Sequence, residues 1–518
     1  MERLLSKLLD VADGQIQPKQ TNLSRRSLLK CGSFALMSLA SPLAEKAAAR
    51  SWQEAGQPAS ASPAQPSDAI IARLSSYMSE AGDRSLPDEV VEKAKHHILD
   101  TIAAMVSGVD LPPAQVALKF ARAYPGDKIA TIVGSNLVCG ALEAAIANGM
   151  LAHSDETDDS HAPSHSHPGC AVVAAALAAG EQFGISGARF LRAVTLGYAV
   201  GPRVLLTLGG LPFQMQTHRS AHSISNTFGA SAAAACAAGL NAQQMRWVLD
   251  YAAQQASGIA AWQRDTEHVE KSLVFAGMPA RNGITSALLI RLGATGVNDI
   301  FSGPDNFIMA FAPDAEPSRL IDKLGERYEV TRTSIKKWTV GSPIQAPLDA
   351  LQQIMREHSL DRDQIQKVVV RVARSEAKTV NNRDMPDISM QHMMAVMLMD
   401  KTASFQAAHD KERMRDPEIL KERAKVQLVP DDELEKLYPK RETVVEVTLT
   451  NGTKLTQRIE AVRGTPDNPM TREEIETKAR DLMEPFLGAT KTRDLIKAIF
   501  AVESRPDIRT LRPLLQRG

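Results

Sequence analysis

Histidine and carboxylate side chains are concentrated in one stretch of this 518-residue chain. Residues 153–167 contain four histidines and four acidic residues, although the whole chain has only 12 histidines. Imidazoles titrate near neutral pH and exchange protons readily with carboxylates, so the stretch predicts a site of acid/base catalysis. Asp, Glu and His can also bind zinc, iron or manganese, but no rigid ligand pair such as His-Glu-x-x-His is present. A solvated acidic loop is the third interpretation.

Two further polar segments carry residues suited to chemistry. His218 and His222 stand four positions apart, which would place both on one helix face if the segment is helical. Capping or hydrogen bonding in the core is the alternative for this pair. Lys271 precedes a glycine-containing helix start at 277–283, although a lone lysine is most often a solvated surface charge. These residues can share a site with 153–167 only if the fold brings them together.

Alanine-rich segments with helical periodicity must position these groups. Pro87 and two acids start one helix, and similar patterns follow at 140–150, 169–182, 190–206, 228–238, 242–261 and 279–292. Near residue 330 the pattern changes. Residues 368–372 are β-branched, and Asn451-Gly452 joins strand patterns at 444–449 and 453–459 into a hairpin. Residues 401–441 are predicted as helices and loops.

The predicted fold class is therefore mainly α, with a large all-helical domain plus a smaller α+β lid domain. The helical domain is expected at 68–330 and the lid at 331–460, since a chain of this length exceeds a single ordinary core. A capping-type start at 471 begins further helices, so 461–518 is expected to pack back on the helical domain.

The first 49 residues have the pattern of a twin-arginine export signal. Arg25 and Arg26 precede an apolar run at 31–40, and small residues follow at 47–49. This run is far shorter than the roughly 20 residues of a membrane-spanning helix. We therefore expect a signal at 1–49, export by the twin-arginine machinery, a disordered linker at 50–67, and a periplasmic protein with no membrane anchor after signal removal.

Composition limits the expected partners. Sixty basic residues balance sixty acidic residues, so no net charge favours nucleic acid or an anionic membrane. The four cysteines form no Cys-x-x-Cys pair, which argues against a disulfide framework or a structural zinc site and predicts free, buried thiols. A small molecule is the expected partner.

Taken together, these segments resemble the MmgE/PrpD family over nearly the whole chain that follows the predicted signal. The resemblance rests on the order and spacing of short motifs: Leu86-Pro87 through Leu99-Asp100-Thr101, Ala152-His153, Asp158-Asp159-Ser160, His167-Pro168, Phe228-Gly229-Ala230, Lys271 with Gly277, and Lys336-Lys337-Trp338. Each motif is weak by itself. Their common order over more than 250 residues is what makes the resemblance specific.

The resemblance implies a homodimer with a site between its domains that needs no metal and no organic cofactor. Residue by residue it points to Glu156, Ser160, His167, a histidine at 218 or 222, Lys271 and Lys336. The chain departs from the family where Glu156 replaces a frequent aspartate, so Asp155 could fill that role after a one-residue shift. After Lys336, the usual proline, cysteine and histidine pattern is replaced by residues 338–342.

Proton removal next to a carboxylate requires cations that hold the carboxylate and a base that takes the proton. This chemistry adds Arg281 to the two lysines as a candidate cation, and Asp159 to Glu156 as a candidate acid. The predicted catalytic residues are thus Glu156, Asp159, His167, His218 and His222, and the predicted substrate-binding residues are Ser160, Lys271, Arg281 and Lys336.

The predicted function is a cofactor-free, 2-methylcitrate dehydratase-like lyase that acts on a small polycarboxylic acid. An epimerase, another isomerase or a decarboxylase of the same family is the nearest alternative, because one proton abstraction can lead to any of these products. A metal-dependent hydrolase and a non-catalytic periplasmic binding protein are alternatives from other classes. All site predictions depend on one spatial expectation, that His167, Lys271 and Lys336 converge on a shared cavity between the domains.

Overall fold

The structure is a computed structural model that describes residues 66–517. The predicted export signal at 1–49 lies outside these residues, as does the predicted linker up to residue 65. Pro66 and Ser67, which the sequence placed in the linker, begin the first helix instead. The fold is mainly α, in agreement with the predicted class.

Helices form the first part of the chain, and short 3₁₀ turns and one two-stranded ladder connect them. Their bounds are α1 Pro66–Glu80, α2 Asp88–Gly108, α3 Pro112–Ala123, β1 Ala130–Thr131, β2 Val138–Cys139, α4 Ala141–Ala152, α5 Pro168–Phe183, α6 Gly187–Leu208, α7 Leu211–Thr217, α8 Ala221–Ala238, α9 Ala242–Gln255, α10 Val269–Arg291 and α11 Phe307–Phe311. Helix α9 ends six residues before the predicted 261, because Ala256 is extended and Gly258 has a φ of 101°.

Small residues let the central helices α6, α8 and α10 approach closely. A Cβ atom on Gly197 would lie 2.8 Å from the carbonyl oxygen of Gly229, so α6 and α8 touch through backbone. A Cβ on Gly283 would lie 2.5 Å from the backbone of Ala230, so α10 packs equally closely on α8. Such packing places the start of α10 beside the loop that follows α4.

A second part of the chain combines helices with a four-stranded sheet. Its elements are α12 Ser342–Glu357, β3 Ile365–Ala373, α13 Arg374–Val380, α14 Met390–Asp400, α15 Phe405–His409, α16 Pro417–Arg423, β4 Val426–Asp431, α17 Asp432–Glu435, β5 Thr443–Leu449 and β6 Lys454–Ile459. The strand order is β4-β3-β5-β6, with β3 and β4 parallel and the other pairs antiparallel. The predicted hairpin is confirmed, with Gly452 at a φ of 83° in its turn.

Strand β4 corrects the prediction of helices and loops only at 401–441. It is an edge strand that contains Pro430, and its partner β3 lies more than fifty residues earlier in the chain. A proline lowers the strand signal, and an edge position tolerates it. Pairing with a distant parallel strand leaves no local pattern that the sequence could show.

Two hydrophobic cores result. The first includes residues up to Ile335 and resumes at Met470, and the second runs from Trp338 to Val462. The last helices, α18 Arg472–Leu487, α19 Ala489–Phe500 and α20 Arg512–Leu515, contribute Ile475, Leu482 and Leu495 to the first core. Cys139, Cys170 and Cys236 are buried free thiols, as predicted.

Among the described residues, α10 has the length and apolar composition of a membrane-crossing helix. Within the fold, 56% of the most apolar 18-residue stretch of this helix is buried inside the protein. This helix packs closely on α8 at Gly283, and its residues Ile284, Ala287 and Ile290 belong to the first core, so packing inside the protein accounts for its apolar residues.

Candidate active site

The loop after α4 meets two lysines that are distant in sequence. The Nζ of Lys271 pairs with the Oε1 of Glu156. The Nζ of Lys336 donates to the Glu156 carbonyl oxygen at 2.7 Å and lies 3.4 Å from its Oε2. Burial disfavours ionisation of Glu156, but Lys271 and Lys336 outweigh it and hold its pKa well below the usual value. The structure thus brings together three of the predicted site residues around one buried carboxylate.

His167 lies in the same cluster, where its ring contacts the buried carboxylate of Asp158. Its Nδ1 is 3.2 Å from the Oδ1 of Asp158, which also lies 3.9 Å from the Nζ of Lys336. Burial lowers the pKa of His167 despite the opposing effect of Asp158. Burial alone would raise the pKa of Asp158, but His153 and His167 hold it well below the usual value. His167 is therefore a neutral base at neutral pH, with one ring nitrogen oriented by a carboxylate.

Aromatic rings form one wall of the cluster. His222 stacks on Phe275, with ring centroids 3.8 Å apart and planes 15° from parallel, and His153 stacks on Phe275 at 4.7 Å. Phe275 belongs to a π-helical turn at Leu273–Gly277 within α10, a local widening that is frequent at functional sites. Burial lowers the pKa of His222 well below its usual value, with smaller contributions from neighbouring histidines and Lys271. The ring is therefore neutral.

The loop is held in place from several sides. Lys478 on α18 donates to the carbonyl oxygen of Thr157 at 3.0 Å. The backbone of Ser160 pairs with that of Ser334. His161 lies 3.2 Å from the buried carboxylate of Glu329. These contacts satisfy part of the polar backbone and side chains that the buried loop carries.

Asp159 has a different environment from the one predicted. Its carboxylate accepts hydrogen bonds from Tyr198 and from the backbone N–H of Gly169, and it lies 2.8 Å from the Nδ1 of His97. All of these partners belong to α2, α5 and α6 in the first core. Asp159 therefore anchors the loop, and the acid that faces His167 is its neighbour Asp158.

His218 and Arg281 do not reach the cluster. Helix α7 ends at Thr217, and His218 follows it in a left-handed conformation with a φ of 58° and an exposed side chain. The expectation that His218 and His222 share one helix face is therefore wrong, because a turn separates them. Arg281 is exposed on α10, so it is not placed as the third cation.

Ser160 and Lys336 open onto a cavity of about 270 Å³ between the two cores. Five basic side chains line it, Arg332, Lys336, Lys440, Arg441 and Arg463. Four of them are also paired with carboxylates: Arg332 with Glu329, Lys336 with Glu156, Arg441 with Glu376 and Arg463 with Glu474. Arg441 also lies close enough to His165 to help burial lower the pKa of that ring to about 3. The cavity is thus a space with a basic lining that adjoins the buried cluster.

Several site residues were not among the predicted catalytic or binding residues. His153 and Asp158 stand in two motifs of the family resemblance, Ala152-His153 and Asp158-Asp159-Ser160, but no role was predicted for either. His268 packs 5.1 Å from His153, ring to ring, and carries no motif of its own. From the second core, His409 lies 2.9 Å from Asp155. No local sequence pattern indicated a role for His268 or His409, because the residues that they contact lie more than a hundred positions away in the chain.

Two groups of side chains have ligand atoms close enough to hold a metal ion. One is His153, Glu156 and His268, and the other is His153, Asp158 and Cys170, each with its ligand atoms within 4.8 Å. In the first group, Lys271 and Lys336 both contact Glu156, and their charges disfavour a metal ion at that carboxylate. The second group does not contain Glu156, and its Asp158 lies 3.9 Å from the Nζ of Lys336.

Comparison with known proteins agrees with the geometry. The model of the MmgE/PrpD N-terminal domain matches residues 72–320, and that of the C-terminal domain matches 338–502. A cis-aconitate decarboxylase-like protein of Aspergillus oryzae is 28% identical over 310 residues, 57% of this chain and 63% of that protein. Human cis-aconitate decarboxylase is 26% identical, with 83% of this chain and 91% of that protein covered. The Aspergillus terreus enzyme is 22% identical, with 86% and 96% covered.

The match to the Aspergillus oryzae protein thus spans less than two thirds of that relative, whereas the human and Aspergillus terreus proteins are matched over nearly their whole length. The two family models leave only residues 321–337 unmatched between 72 and 502. The chain therefore belongs to the MmgE/PrpD family.

Proposed function

We propose that this protein is a cofactor-independent lyase that transfers a proton at the carbon next to a carboxylate of a small polycarboxylic acid. The observation that carries the proposal is the position of His167, whose ring contacts Asp158 and lies beside two lysines that meet at Glu156. Family membership and the names of the relatives support a lyase of the dehydratase or decarboxylase type.

The proposed chemistry begins with binding of a substrate carboxylate by Lys271 and Lys336. If the Nδ1–H of His167 donates to Asp158, its Nε2 carries the lone pair and accepts the proton from carbon. The two ammonium groups stabilise the negative charge that spreads onto the carboxylate oxygens. For dehydration, the adjacent C–O bond then breaks and the electron pair left on carbon forms the double bond. The departing hydroxide takes the proton from the His167 imidazolium, leaves as water and returns His167 to its neutral form.

The basic lining of the cavity supports a substrate with more than one carboxylate. Five basic side chains surround a space of about 270 Å³, four of them paired with carboxylates as well, and Lys336 belongs both to this lining and to the buried cluster. A dicarboxylic or tricarboxylic acid could place one carboxylate at the lysines and another near Arg441. Charge-assisted hydrogen bonds of this kind fix orientation as well as affinity.

Decarboxylation is the second candidate, because the relatives from Aspergillus and human are named for cis-aconitate decarboxylation. In that reaction a protonated His167 would donate its proton to an alkene carbon while the C–C bond to a carboxylate breaks and carbon dioxide leaves. Burial, which lowers the pKa of His167, makes its imidazolium form a strong proton donor.

The test is incubation of the purified full chain with 2-methylcitrate, citrate and cis-aconitate in heavy water, followed by proton NMR. Loss of water or of carbon dioxide separates the two lyase reactions, whereas deuterium uptake with inversion indicates an epimerase. His167→Gln should lose at least a hundredfold in kcat, a typical value for a general base. His358→Gln, on an exposed histidine, is the matched control. Equal turnover in both variants would refute the role of His167, and no turnover of any polycarboxylate would favour a binding protein.

A metal-dependent hydrolase remains the alternative from another class. Elemental analysis of the purified chain decides it, since stoichiometric zinc, iron or manganese bound at His153 would contradict a cofactor-independent lyase.

We also propose export by the twin-arginine route to the periplasm and assembly into a homodimer. Arg25-Arg26 supports export, and replacing both by lysine should retain the protein in the cytoplasm, as measured by cell fractionation. The resemblance to the family supports the dimer, and light scattering of the purified chain measures its mass. A monomeric mass, or unchanged export of the lysine variant, would overturn the corresponding proposal.

A further inference from the structure

His409 projects from the second core towards the catalytic loop. It is the last residue of α15, whose first turn is capped by the Ser404 hydroxyl accepting from the N–H of Ala407 at 3.2 Å. The His409 Nδ1 lies 2.7 Å from the carbonyl oxygen of Phe405, and the two rings pack with centroids 4.2 Å apart. A carbonyl only accepts, so Nδ1 carries a proton and Nε2 is the atom presented to the loop.

The partner of Nε2 is Asp155, 2.9 Å away. The same carboxylate accepts a hydrogen bond from the backbone N–H of Thr157 at 2.9 Å and from its hydroxyl at 2.6 Å. Asp155 and Thr157 therefore close a small turn, and the residue inside this turn is Glu156. The turn therefore links Asp155 through the backbone to the residue whose carboxylate Lys271 and Lys336 share.

The surroundings of His409 are rich in acids. Asp387, on the neighbouring turn Pro386–Ile388, is only 4% exposed, and Asp155 and Glu156 lie on the loop side. Lys271 is the nearby cation on the loop side, while Lys411 is paired with Glu267 at the surface. Although burial opposes it, the close contact with Asp155 and the charges of Asp155 and Asp387 raise the pKa of His409 to about 9.

We propose that His409 is a positioning residue, which as an imidazolium ties the second core to the turn that holds Glu156 and so keeps the site assembled. Its effect on turnover rests on the proposed function. The ion pair itself does not, and can be measured without any substrate.

The first test is NMR titration of the histidine ring protons in the full chain, with the His409 signal assigned from its loss in His409→Gln. We expect this ring to titrate at about 9 in the native chain, and at least one pH unit lower in Asp155→Asn. A ring that titrates near the ordinary 6.5, or that is unaffected by Asp155→Asn, would overturn the proposal.

The second test compares the pH profiles of kcat and KM for the native chain, His409→Gln and His409→Lys. Native activity should fall as pH rises through about 9, because the imidazolium loses its charge. His409→Gln should lose about tenfold in kcat/KM below pH 8 and lack this alkaline limb, as expected for a misplaced catalytic group. His409→Lys should restore activity and move the limb to higher pH. His358→Gln controls for loss of a histidine.

The two readouts separate the possible failures. If no polycarboxylate is turned over but His409 titrates at about 9, the proposed function fails while the ion pair stands. If turnover is found and His409→Gln keeps the native alkaline limb, the positioning role is refuted while the lyase stands. Thermal unfolding of each variant shows whether it is folded. If His409→Gln is unfolded, the titration of Asp155→Asn still tests the ion pair.

Discussion

Replacing Lys271 by methionine should separate stability from catalysis at the buried carboxylate. The change keeps the length of the side chain but removes the charge that pairs with Glu156. Breaking a buried ion pair on one side costs about 3–5 kcal/mol, because a buried charge is left uncompensated. Here Lys336 remains 3.4 Å from the same carboxylate and bonds the Glu156 carbonyl at 2.7 Å, so part of the compensation survives. We therefore expect a loss of about 2 kcal/mol in the free energy of unfolding.

The assay is urea denaturation of three variants in parallel with activity measurements. Lys436→Met is the matched control, since Lys436 pairs with Glu433 at the surface, where such a pair contributes about 0–1 kcal/mol. The double variant Lys271→Met/Glu156→Gln removes both charges and should regain most of the lost stability. Both Lys271 variants should lose at least about a hundredfold in kcat/KM, because the double change does not restore the cation.

Two results would refute this reasoning. If Lys271→Met is no less stable than Lys436→Met, the buried carboxylate does not depend on Lys271. If the double variant recovers activity together with stability, the lysine acts only by neutralising Glu156, and its proposed contact with substrate is wrong.

Three further predictions test other parts of the structure. Asp158→Asn should lower kcat about a hundredfold. It should also move the acid limb of the pH profile of kcat/KM to lower pH, because Asp158 raises the pKa of His167. An unchanged acid limb would contradict the pairing of Asp158 with His167. Burial opposes ionisation of Glu329, but its hydrogen bond to His161 and the nearby arginines lower its pKa to about 2. The ionised carboxylate therefore stabilises the folded chain by about 3 kcal/mol at pH values above about 4.5, its pKa in the unfolded chain. This stabilisation is lost as pH falls through about 2. Acid unfolding of Glu329→Gln should lack that dependence, and an identical acid transition would count against it. Gly283→Ala should destabilise the chain by about 1–3 kcal/mol in thermal or urea unfolding, because its Cβ would lie 2.5 Å from the backbone of Ala230; a neutral effect would mean that α8 and α10 can separate freely.

Local patterns were sufficient where the physical cause is local. Helical periodicity predicted the mainly α fold, and Asn451-Gly452 predicted the hairpin because its turn requires positive φ angles. The same local reasoning failed at β4, whose edge position and parallel partner are properties of the sheet. It also failed at His218, because the break between α7 and α8 depends on a single left-handed residue.

The residue types of the site were visible in the sequence, but their roles were not. Asp158 and Asp159 are adjacent, yet Asp158 faces His167 and Asp159 accepts a hydrogen bond from Tyr198. Neither adjacency nor composition could distinguish them. Only the packing of α2 and α6 against the loop decides which carboxylate is an anchor.

By itself, then, the sequence determined a mainly helical chain, a polar loop rich in acids and imidazoles, and the lysines that could serve it. The tertiary structure decided which of these groups meet. Lys271 is 115 residues from Glu156, and Lys336 is 180 residues from it, so their contacts depend on how the helices and the second core pack. His409 completes the arrangement from a segment with no motif. Contacts of this kind shift the pKa of a group through burial and neighbouring charge, and both are properties of the folded chain rather than of any stretch of its sequence.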